Sequence, residues 1–221
     1  MYKLYHYSLC PFSRMVRFVL NEAGIDYVLV EEEFWNFNEK FLRINPMGTV
    51  PVLITEKNIV LNHHQLILEY IHANHNTDFL FPEGNDVLET KKICIWFNEK
   101  LFLDCTKFFM QEKVIRYLHE KTHPNANILS LARYNLTIHL DYISYLLDKS
   151  TWLAGERLSI ADIAAVSQFS VLDFLGEIQW SKIPHIKDWY CIVKSRPAFR
   201  PFLKERVAGI YTPKHYSELD F

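Results

Sequence analysis

The sequence predicts an α/β domain followed by an all-helical domain. As far as Gly84, short apolar runs alternate with stretches of helical period, which is the pattern of strands and helices in turn. Beyond "NTDFLFPEGND", the apolar residues recur at helical spacing. We therefore place the α/β domain at residues 1–77, a linker at 78–85, the helical domain at 86–206 and a tail at 207–221.

The order of elements in the α/β domain follows from apolar spacing and from helix-breaking residues. "KLYHY" predicts a strand, and a helix begins near Phe12 and ends at Gly24. "YVLVE" predicts a second strand and "NEKFLRI" a short helix. "VPVLI" and "NIVL" predict two strands around a turn from Glu56 to Asn58, and a helix then runs to about His75.

The long helix after the linker has more apolar surface than one buried face needs. One set of residues recurs at helical spacing: Cys94, Phe97, Leu101, Cys105 and Phe108. A further apolar set lies beside it: Ile95, Trp96, Phe102, Leu103 and Phe109. This second face fits either a subunit interface or the interior of a large bundle, so a homodimer is one of two interpretations.

A second helix, in "SIADIAAVSQFSVLDFLG", carries a capping signal and is apolar almost all round. Ser159 and Asp162 have the spacing of a capping box. In this motif the Ser159 hydroxyl accepts from the backbone N–H at the third helical position, and the Asp162 carboxylate accepts from the Ser159 backbone N–H. We assign both residues a structural role and expect this helix to form the centre of the helical domain. A catalytic Asp162 is the weaker interpretation.

Composition and charge exclude several classes of function. With 221 residues the chain can bury a substantial core without disulfides or metals. The net charge is −2 and no basic run is present, so nucleic acid is not an expected partner. Neither a signal peptide nor a bilayer-spanning apolar run is found, which predicts a cytoplasmic protein without a transmembrane segment. The four cysteines form no C-x-x-C, so we expect reduced thiols.

The stretch "YSLCPFSRMVRF" holds the best candidate for chemistry. A strand ends at about Tyr7, and Pro11 suits the first position of a helix, which places Cys10 at the positive helix end. That position lowers a thiol pKa, and Ser8 and Ser13 lie near enough in sequence to donate hydrogen bonds. We expect an exposed thiol with a lowered pKa, against the alternative of an inert buried cysteine.

The stretch "NPMGTVPVLI" predicts a cis peptide bond. Pro51 opens a strand directly after a turn, and an X-Pro bond in a tight turn is the usual site of a cis bond. A cis Val50–Pro51 bond would leave the Val50 backbone groups outside the sheet ladder, where they can bind an extended peptide.

Together these features resemble the glutathione transferase superfamily, whose fold is a thioredoxin-like domain followed by an all-helical domain. "CPFSRMVRFVLNEAGI" is similar to the family's first helix, "NPMGTVPVL" to its cis-Pro loop and "LSIADIAAV" to its central helix. The resemblance covers nearly the whole chain. It implies that Cys10 occupies the position of a catalytic Cys or Ser, and that glutathione is the ligand of a working site.

Two adjacent histidines stand where that family has an acid and a hydroxyl. In "IVLNHHQLILEYI", the resemblance puts His63 at the acid position and His64 at the hydroxyl position of the γ-glutamyl site. A neutral imidazole cannot balance an α-ammonium group, so we expect weak glutathione binding or none, and no required cofactor. Adjacent side chains diverge on a helix or strand, so the pair does not predict a metal site.

The tail "VAGIYTPKHYSELDF" has no repeating period. Its end combines aromatic anchors with acids: His215, Tyr216, Leu219, Asp220 and Phe221. This is the composition of a short partner-binding motif, and it would serve equally for a tail folded back over the α/β domain. On the first interpretation, removing the chain from Lys214 onward leaves the melting temperature nearly unchanged.

"HYSELDF", the Cys-Pro-Phe-Ser start and the altered acid–hydroxyl position also resemble a branch of bacterial division proteins within the superfamily. That resemblance implies a homodimer that binds FtsZ filaments, promotes their curvature and acts at the division site. The alternative is a glutathione S-transferase or a glutathione-dependent thiol transferase that uses Cys10.

Overall fold

The computed structural model describes residues 1–82, 86–219 and 221. The chain divides into two units, Met1–Asp78 and Phe79–Phe221. Residues 83–85 of the predicted linker lie outside the described residues, as does Asp220 of the predicted partner-binding tail.

The N-terminal unit is built on a four-stranded mixed sheet with the strand order β2-β1-β3-β4. β1 pairs parallel with β2, and β3 pairs antiparallel with both β1 and β4. The strands are β1 (Tyr2–His6), β2 (Tyr27–Glu31), β3 (Val52–Ile54) and β4 (Val60–Leu61). The helices are α1 (Pro11–Glu22), α2 (Glu39–Ile44) and α3 (His64–Asn74).

The core of this unit lies between the sheet and its helices. A parallel pair of strands needs a crossover connection, and α1 provides it between β1 and β2. Leu4 of β1 and Leu53 of β3 are register partners and are fully buried. α1 packs against α3 and buries Val16 and Val19 completely. The sheet therefore holds the two helix N-termini, α1 and α3, in fixed positions.

The C-terminal unit is helical throughout its described elements, apart from one isolated bridge. α4 (Asp86–Ile95) continues without interruption to Glu120 through π-helical turns that flank the short α5. The remaining helices are α5 (Lys107–Met110), α6 (Ala126–Leu147), α7 (Ile160–Phe174), α8 (Pro184–Lys194) and α9 (Arg200–Leu203). Single 3₁₀ turns occur at Trp180–Lys182 and Lys214–Ser217.

Helix α7 is the centre of this unit. Every residue from Ile160 to Phe174 is buried, as its apolar sequence predicts. The predicted capping box is present: Ser159 N–H donates to Asp162 Oδ2 over 3.0 Å, and the Ser159 hydroxyl accepts from Ala161 N–H. Asp162 also accepts from the Leu153 N–H and the Trp189 indole N–H, so its role is to fix the helix start.

The fold class predicted from the sequence is confirmed. A small mixed sheet with helices precedes a helical unit, which is the order of a thioredoxin-like domain and an all-α domain. No helix of the described residues is long and apolar enough to cross a membrane.

Candidate functional site

The turn that carries Cys10 is held by backbone hydrogen bonds. Cys10 N–H donates to the Tyr7 carbonyl over 2.9 Å, and the Cys10 carbonyl accepts from Arg14 N–H over 3.0 Å. Cys10 is the N-cap of α1 and Pro11 is its first residue, as predicted. The thiol therefore lies at a helix N-terminus, the place where the helix dipole favours negative charge.

Burial nevertheless keeps Cys10 protonated. The residue is 6% exposed, and its Sγ donates to the Val50 carbonyl over 3.6 Å. Burial raises the pKa of the Cys10 thiol, and the Ser13 side chain, nearby backbone N–H groups and the Arg14 charge oppose this without reversing it. The prediction of an exposed thiol with a lowered pKa is wrong, because removal from water costs the thiolate more than the helix end returns.

The two serines near Cys10 have different surroundings. Ser8 Oγ donates to Glu31 Oε1 over 3.1 Å, so this hydroxyl is occupied by a carboxylate. Ser13 is fully buried, and its side chain acts on the Cys10 thiol in the direction that lowers the thiol pKa. Of the two serines, Ser13 is therefore the one whose side chain acts on the Cys10 thiol.

The Val50–Pro51 peptide bond is cis, as predicted. The Val50 carbonyl accepts from the Cys10 thiol, so part of the backbone that would bind an extended peptide is already used within the protein. Asn45, which is fully buried, stabilises the loop by donating from Nδ2 to the Thr49 carbonyl over 2.8 Å. Sequence reasoning missed Asn45, although an Asn before Pro in a turn is a signal for such a contact.

His63 is the N-cap of α3. Its Nδ1 accepts from the Gln65 backbone N–H over 3.3 Å, and its backbone is extended. The rings of His63 and His64 lie 4.2 Å apart, which the divergence expected on a helix or strand does not allow. The reason is that His63 belongs to neither element, so the two side chains approach each other at the helix start.

His64 is the first residue of α3 and stacks on Phe12, with ring centroids 4.5 Å apart. Burial, followed by the neighbouring His63, lowers the pKa of His64 to about 3. His64 is therefore neutral at ordinary pH. No group of three or more metal-ligating side chains is found in residues 1–82, 86–219 and 221, which include both histidines.

An aromatic cluster next to this region was not foreseen. Tyr7 packs edge-on against Trp35, with centroids 4.7 Å apart, and Phe34 contacts both rings. Tyr7 is 3% exposed, its hydroxyl has no hydrogen-bond partner among the described residues, and burial raises its pKa. Tyr7 directly follows β1 and continues a run of buried residues that begins at Leu4.

The predicted partner-binding tail is anchored on the helical domain. Tyr216 is fully buried, and its hydroxyl donates to the Phe202 carbonyl over 3.3 Å. His215 Nε2 lies 2.9 Å from Asp173 Oδ1, and the Phe221 ring packs edge-on against Trp180. The sequence left open whether the tail is a free motif or is packed on the protein, and these contacts show that it is packed on the helical core.

The family resemblance is matched by comparison with known proteins. Residues 9–74 match the glutathione S-transferase N-terminal domain, and residues 109–197 match the glutathione S-transferase C-terminal domain. The chain belongs to the glutathione S-transferase family. It is 35% identical over 222 residues to FtsZ-localized protein A of Caulobacter vibrioides, which covers 99% of this chain and 97% of that protein.

Solved structures repeat the fold over the whole chain. FzlA from C. crescentus is 35% identical with a TM-score of 0.96, and the match covers 100% of this chain and 99% of that one. A glutathione S-transferase from Sinorhizobium meliloti 1021 is 38% identical with a TM-score of 0.95, and the match covers all of both chains.

Proposed function

We propose that this protein is a cytoplasmic cell-division factor that binds FtsZ filaments as a homodimer, promotes their curvature and requires no cofactor. The observation that carries this proposal is the similarity to FtsZ-localized protein A over 99% of the chain. The shared family alone would support an enzyme equally well, so the state of the glutathione site decides between the two functions.

The charge of the glutathione site favours the binding protein. The positions that correspond to the family's acid and hydroxyl hold His63 and His64, and the pKa of His64 is lowered to about 3. Losing a charge-assisted hydrogen bond costs about 1.5–3 kcal/mol, or about tenfold to a hundredfold in affinity. Glutathione is therefore expected to bind weakly or not at all.

The state of Cys10 argues in the same direction. Thiol exchange at Cys10 needs the Cys10 thiolate, and burial raises the pKa of this thiol. The Val50 carbonyl, which would receive a peptide ligand, accepts a hydrogen bond from Sγ instead. Both the reactive group and its neighbouring backbone are thus engaged inside the N-terminal unit.

The second candidate function is a glutathione S-transferase or a glutathione-dependent thiol transferase that uses Cys10. Two observations favour it: Cys10 is the N-cap of α1, and the Val50–Pro51 bond is cis. Ser13, which is buried and whose side chain acts to lower the pKa of Cys10, would be the donor to a thiolate. On this account the histidine pair must bind the ligand in a manner different from the family's acid and hydroxyl.

An exposed apolar stripe on α6 supports the homodimer. Leu131, Tyr134, Ile138 and Tyr145 are each more than half exposed, and they fall on one side of the helix over about 21 Å. On the run that begins with α4, Ile95 and Leu103 of the second apolar set are also more than half exposed, whereas Phe109 is fully buried. Such surface is typical of a subunit interface.

The dimer proposal predicts that Ile138→Glu converts the protein to a monomer, measured by sedimentation velocity. Thr137→Glu is the matched control, because Thr137 is exposed on the same helix about a quarter turn from the stripe. A dimer that survives Ile138→Glu, or a wild-type monomer, contradicts this interface.

The proposed function is tested by co-sedimentation with assembled FtsZ filaments, beside retention on immobilised glutathione. The proposal predicts that the protein pellets with filaments and passes through the glutathione column. Retention on glutathione without pelleting would establish the second candidate function.

A further inference from the structure

Strand β2 (Tyr27–Glu31) forms one edge of the four-stranded sheet. Its only neighbour in the described part of the chain is β1, with which it pairs in parallel. None of the five residues of β2 is buried, whereas three of the five residues of β1 are. β2 is therefore open to solvent along its outer edge and on parts of both faces.

The backbone groups at this outer edge follow from the alternation of the strand. Glu32, directly after β2, donates its N–H to the His6 carbonyl over 2.8 Å, so its backbone groups point toward β1. Successive residues of a strand alternate in this direction. The N–H and C=O groups of Leu29 and Glu31 consequently point away from β1, toward the open edge.

The side chains of β2 are typical of a strand that has neighbours on both sides. Its sequence is Tyr-Val-Leu-Val-Glu, and Val28 and Leu29, which lie on opposite faces, are 43% and 41% exposed. Edge strands that avoid pairing usually carry lysine, proline or a bulge. β2 contains neither lysine nor proline, and its register with β1 is continuous from Tyr27 to Glu31. This edge therefore retains the properties of a strand that can pair with another.

Acidic side chains stand at both ends of β2. Asp26 precedes the strand, and three consecutive glutamates, residues 31–33, close it. Asp26, Glu31 and Glu33 are exposed, and no lysine or arginine occurs in residues 18–39. Glu31 lies five positions after Asp26, about 16 Å along an extended strand. The open edge thus has an apolar centre between two acidic ends.

The hydrogen-bond donors to these glutamates are neutral groups. Glu31 Oε1 accepts from the Ser8 hydroxyl over 3.1 Å, and Glu33 Oε2 accepts from the Asn36 amide over 2.7 Å. Burial, followed by the Glu33 charge, raises the pKa of Glu32. The acidic end after β2 is therefore a place where an added cation would be stabilised.

The neighbouring strand has one lysine close to β2 in register. Lys3 of β1 is the register partner of Val28, and its ammonium lies over the Tyr5 ring, 4.9 Å from the ring centroid. The charge of Lys3 is therefore engaged on its own strand.

We infer that the open edge of β2 binds an extended peptide segment of a partner protein, with an apolar centre flanked by lysine or arginine. The backbone of that segment would pair with Leu29 and Glu31, and its cationic ends would reach Asp26 and residues 31–33. In strand addition, backbone hydrogen bonds provide affinity and side chains provide specificity. The site lies on the N-terminal unit and is independent of the proposed function.

A second copy of this chain fits the same edge less well. An antiparallel pair of β2 strands centred on Leu29 would place Asp26 of each copy opposite Glu32 of the other. Like charges directly opposite each other destabilise a strand pair. A basic segment meets the opposite situation, because each acidic end gains a cation.

The charge and backbone requirements are tested with synthetic peptides and the full-length protein. The probe is fluorescently labelled Lys-Val-Thr-Val-Thr-Lys, whose lysines have the spacing of Asp26 and Glu31, and binding is measured by fluorescence anisotropy. We expect about tenfold weaker binding when glutamate replaces both lysines, and about tenfold weaker binding when alternate backbone nitrogens are methylated. No binding of the probe, or equal binding of the three peptides, overturns the inference.

Amide hydrogen exchange tests where the probe binds. Val28 and Val30 direct their N–H groups to β1, whereas Leu29 and Glu31 direct theirs outward. Excess probe should therefore slow exchange at Leu29 and Glu31 about tenfold, with little change at Val28 and Val30. Slower exchange elsewhere, with none at the β2 edge, would place the peptide on another surface and overturn the inference.

Leu29→Pro removes an outward N–H without removing a hydrogen bond to β1, because proline is tolerated on the free side of an edge strand. Leu29→Ala is the matched control, since it loses the same side chain and keeps the N–H. We expect Leu29→Pro to abolish binding of the probe and Leu29→Ala to retain it, and retained binding by Leu29→Pro contradicts the backbone pairing.

Two further measurements keep the inference testable if Leu29→Pro does not fold. Asp26→Asn changes an exposed side chain and should weaken binding of the lysine probe while leaving binding of the glutamate peptide no weaker. Equal weakening of both peptides contradicts the charge argument. Sedimentation velocity of Leu29→Lys tests the other occupant: conversion of a wild-type dimer to a monomer would show that a second copy pairs with β2, which overturns the basic segment.

Discussion

The proposed glutathione site, around Cys10 and His64, and the C-terminal segment, residues 211–219 and 221, use polar groups in opposite ways. In the N-terminal unit, Cys10 and His64 are placed at helix starts, yet burial keeps the thiol protonated and the imidazole neutral. In the helical unit, buried Asp173 and Lys194 attach a segment that has no regular period. The first region holds Cys10 and His64 uncharged, and the second uses charged groups to fix the path of the chain.

This difference indicates where function is to be sought. The cis Val50–Pro51 bond is a backbone feature that the sequence of its loop predicts. Electrostatic complementarity depends on individual side chains, so a histidine in place of an acid would impair an α-ammonium site, as we propose for His63. Fold similarity therefore identifies the family, while the charges of particular residues argue for the activity.

The largest expected effect is on the stability of a protein that ends at Pro213. Removal of residues 214–221 exposes the site of Tyr216, which is fully buried, and takes the His215 donor from Asp173. Burial of a large side chain stabilises by about 1.5–3 kcal/mol. The lost contacts together should lower the melting temperature by about 10 °C in calorimetry.

Leu219→Ala is the control for that truncation, since Leu219 is partly exposed and an ordinary surface change alters stability by no more than about 0.5 kcal/mol. An unchanged melting temperature after truncation would show that the contacts of His215, Tyr216 and Phe221 contribute little to the free energy of unfolding. The contrast between the two regions would then lose its structural basis.

A smaller effect is expected on restoring charge to the glutathione site. His63→Glu with His64→Ser should strengthen glutathione binding about tenfold to a hundredfold in isothermal titration calorimetry, because the α-ammonium group regains a carboxylate partner. His63→Gln with His64→Ser is a matched control, which alters shape and polarity without adding charge. Tight binding by the wild-type protein would refute the charge argument.

The smallest effect concerns the reactivity of Cys10. Its pKa is raised by burial, so its alkylation by iodoacetamide should be slow near pH 7 and accelerate only above the ordinary cysteine pKa of about 8.5. Mass spectrometry identifies the modified cysteine, and the Cys10→Ser variant gives the alkylation signal of the other three cysteines. Rates that already reach a plateau near neutral pH would mean that the helix end outweighs burial.

Sequence reasoning succeeded where one local pattern decides the structure. Pro51 after a turn predicted the cis bond, and Ser159 with Asp162 predicted the capping box, because both features depend on residues close together in the chain. It failed where long-range packing decides. The burial of Cys10 involves Val50, forty residues away, and the anchor for His215 is Asp173, so neither outcome was readable from a short segment.

The measurement that tests the central claim most directly is co-sedimentation of the wild-type protein with FtsZ filaments in the presence and absence of excess glutathione. The account predicts that the protein pellets with filaments to the same extent in both conditions, because binding uses a surface independent of the glutathione site. Failure to pellet, or release from the filaments on adding glutathione, would contradict it.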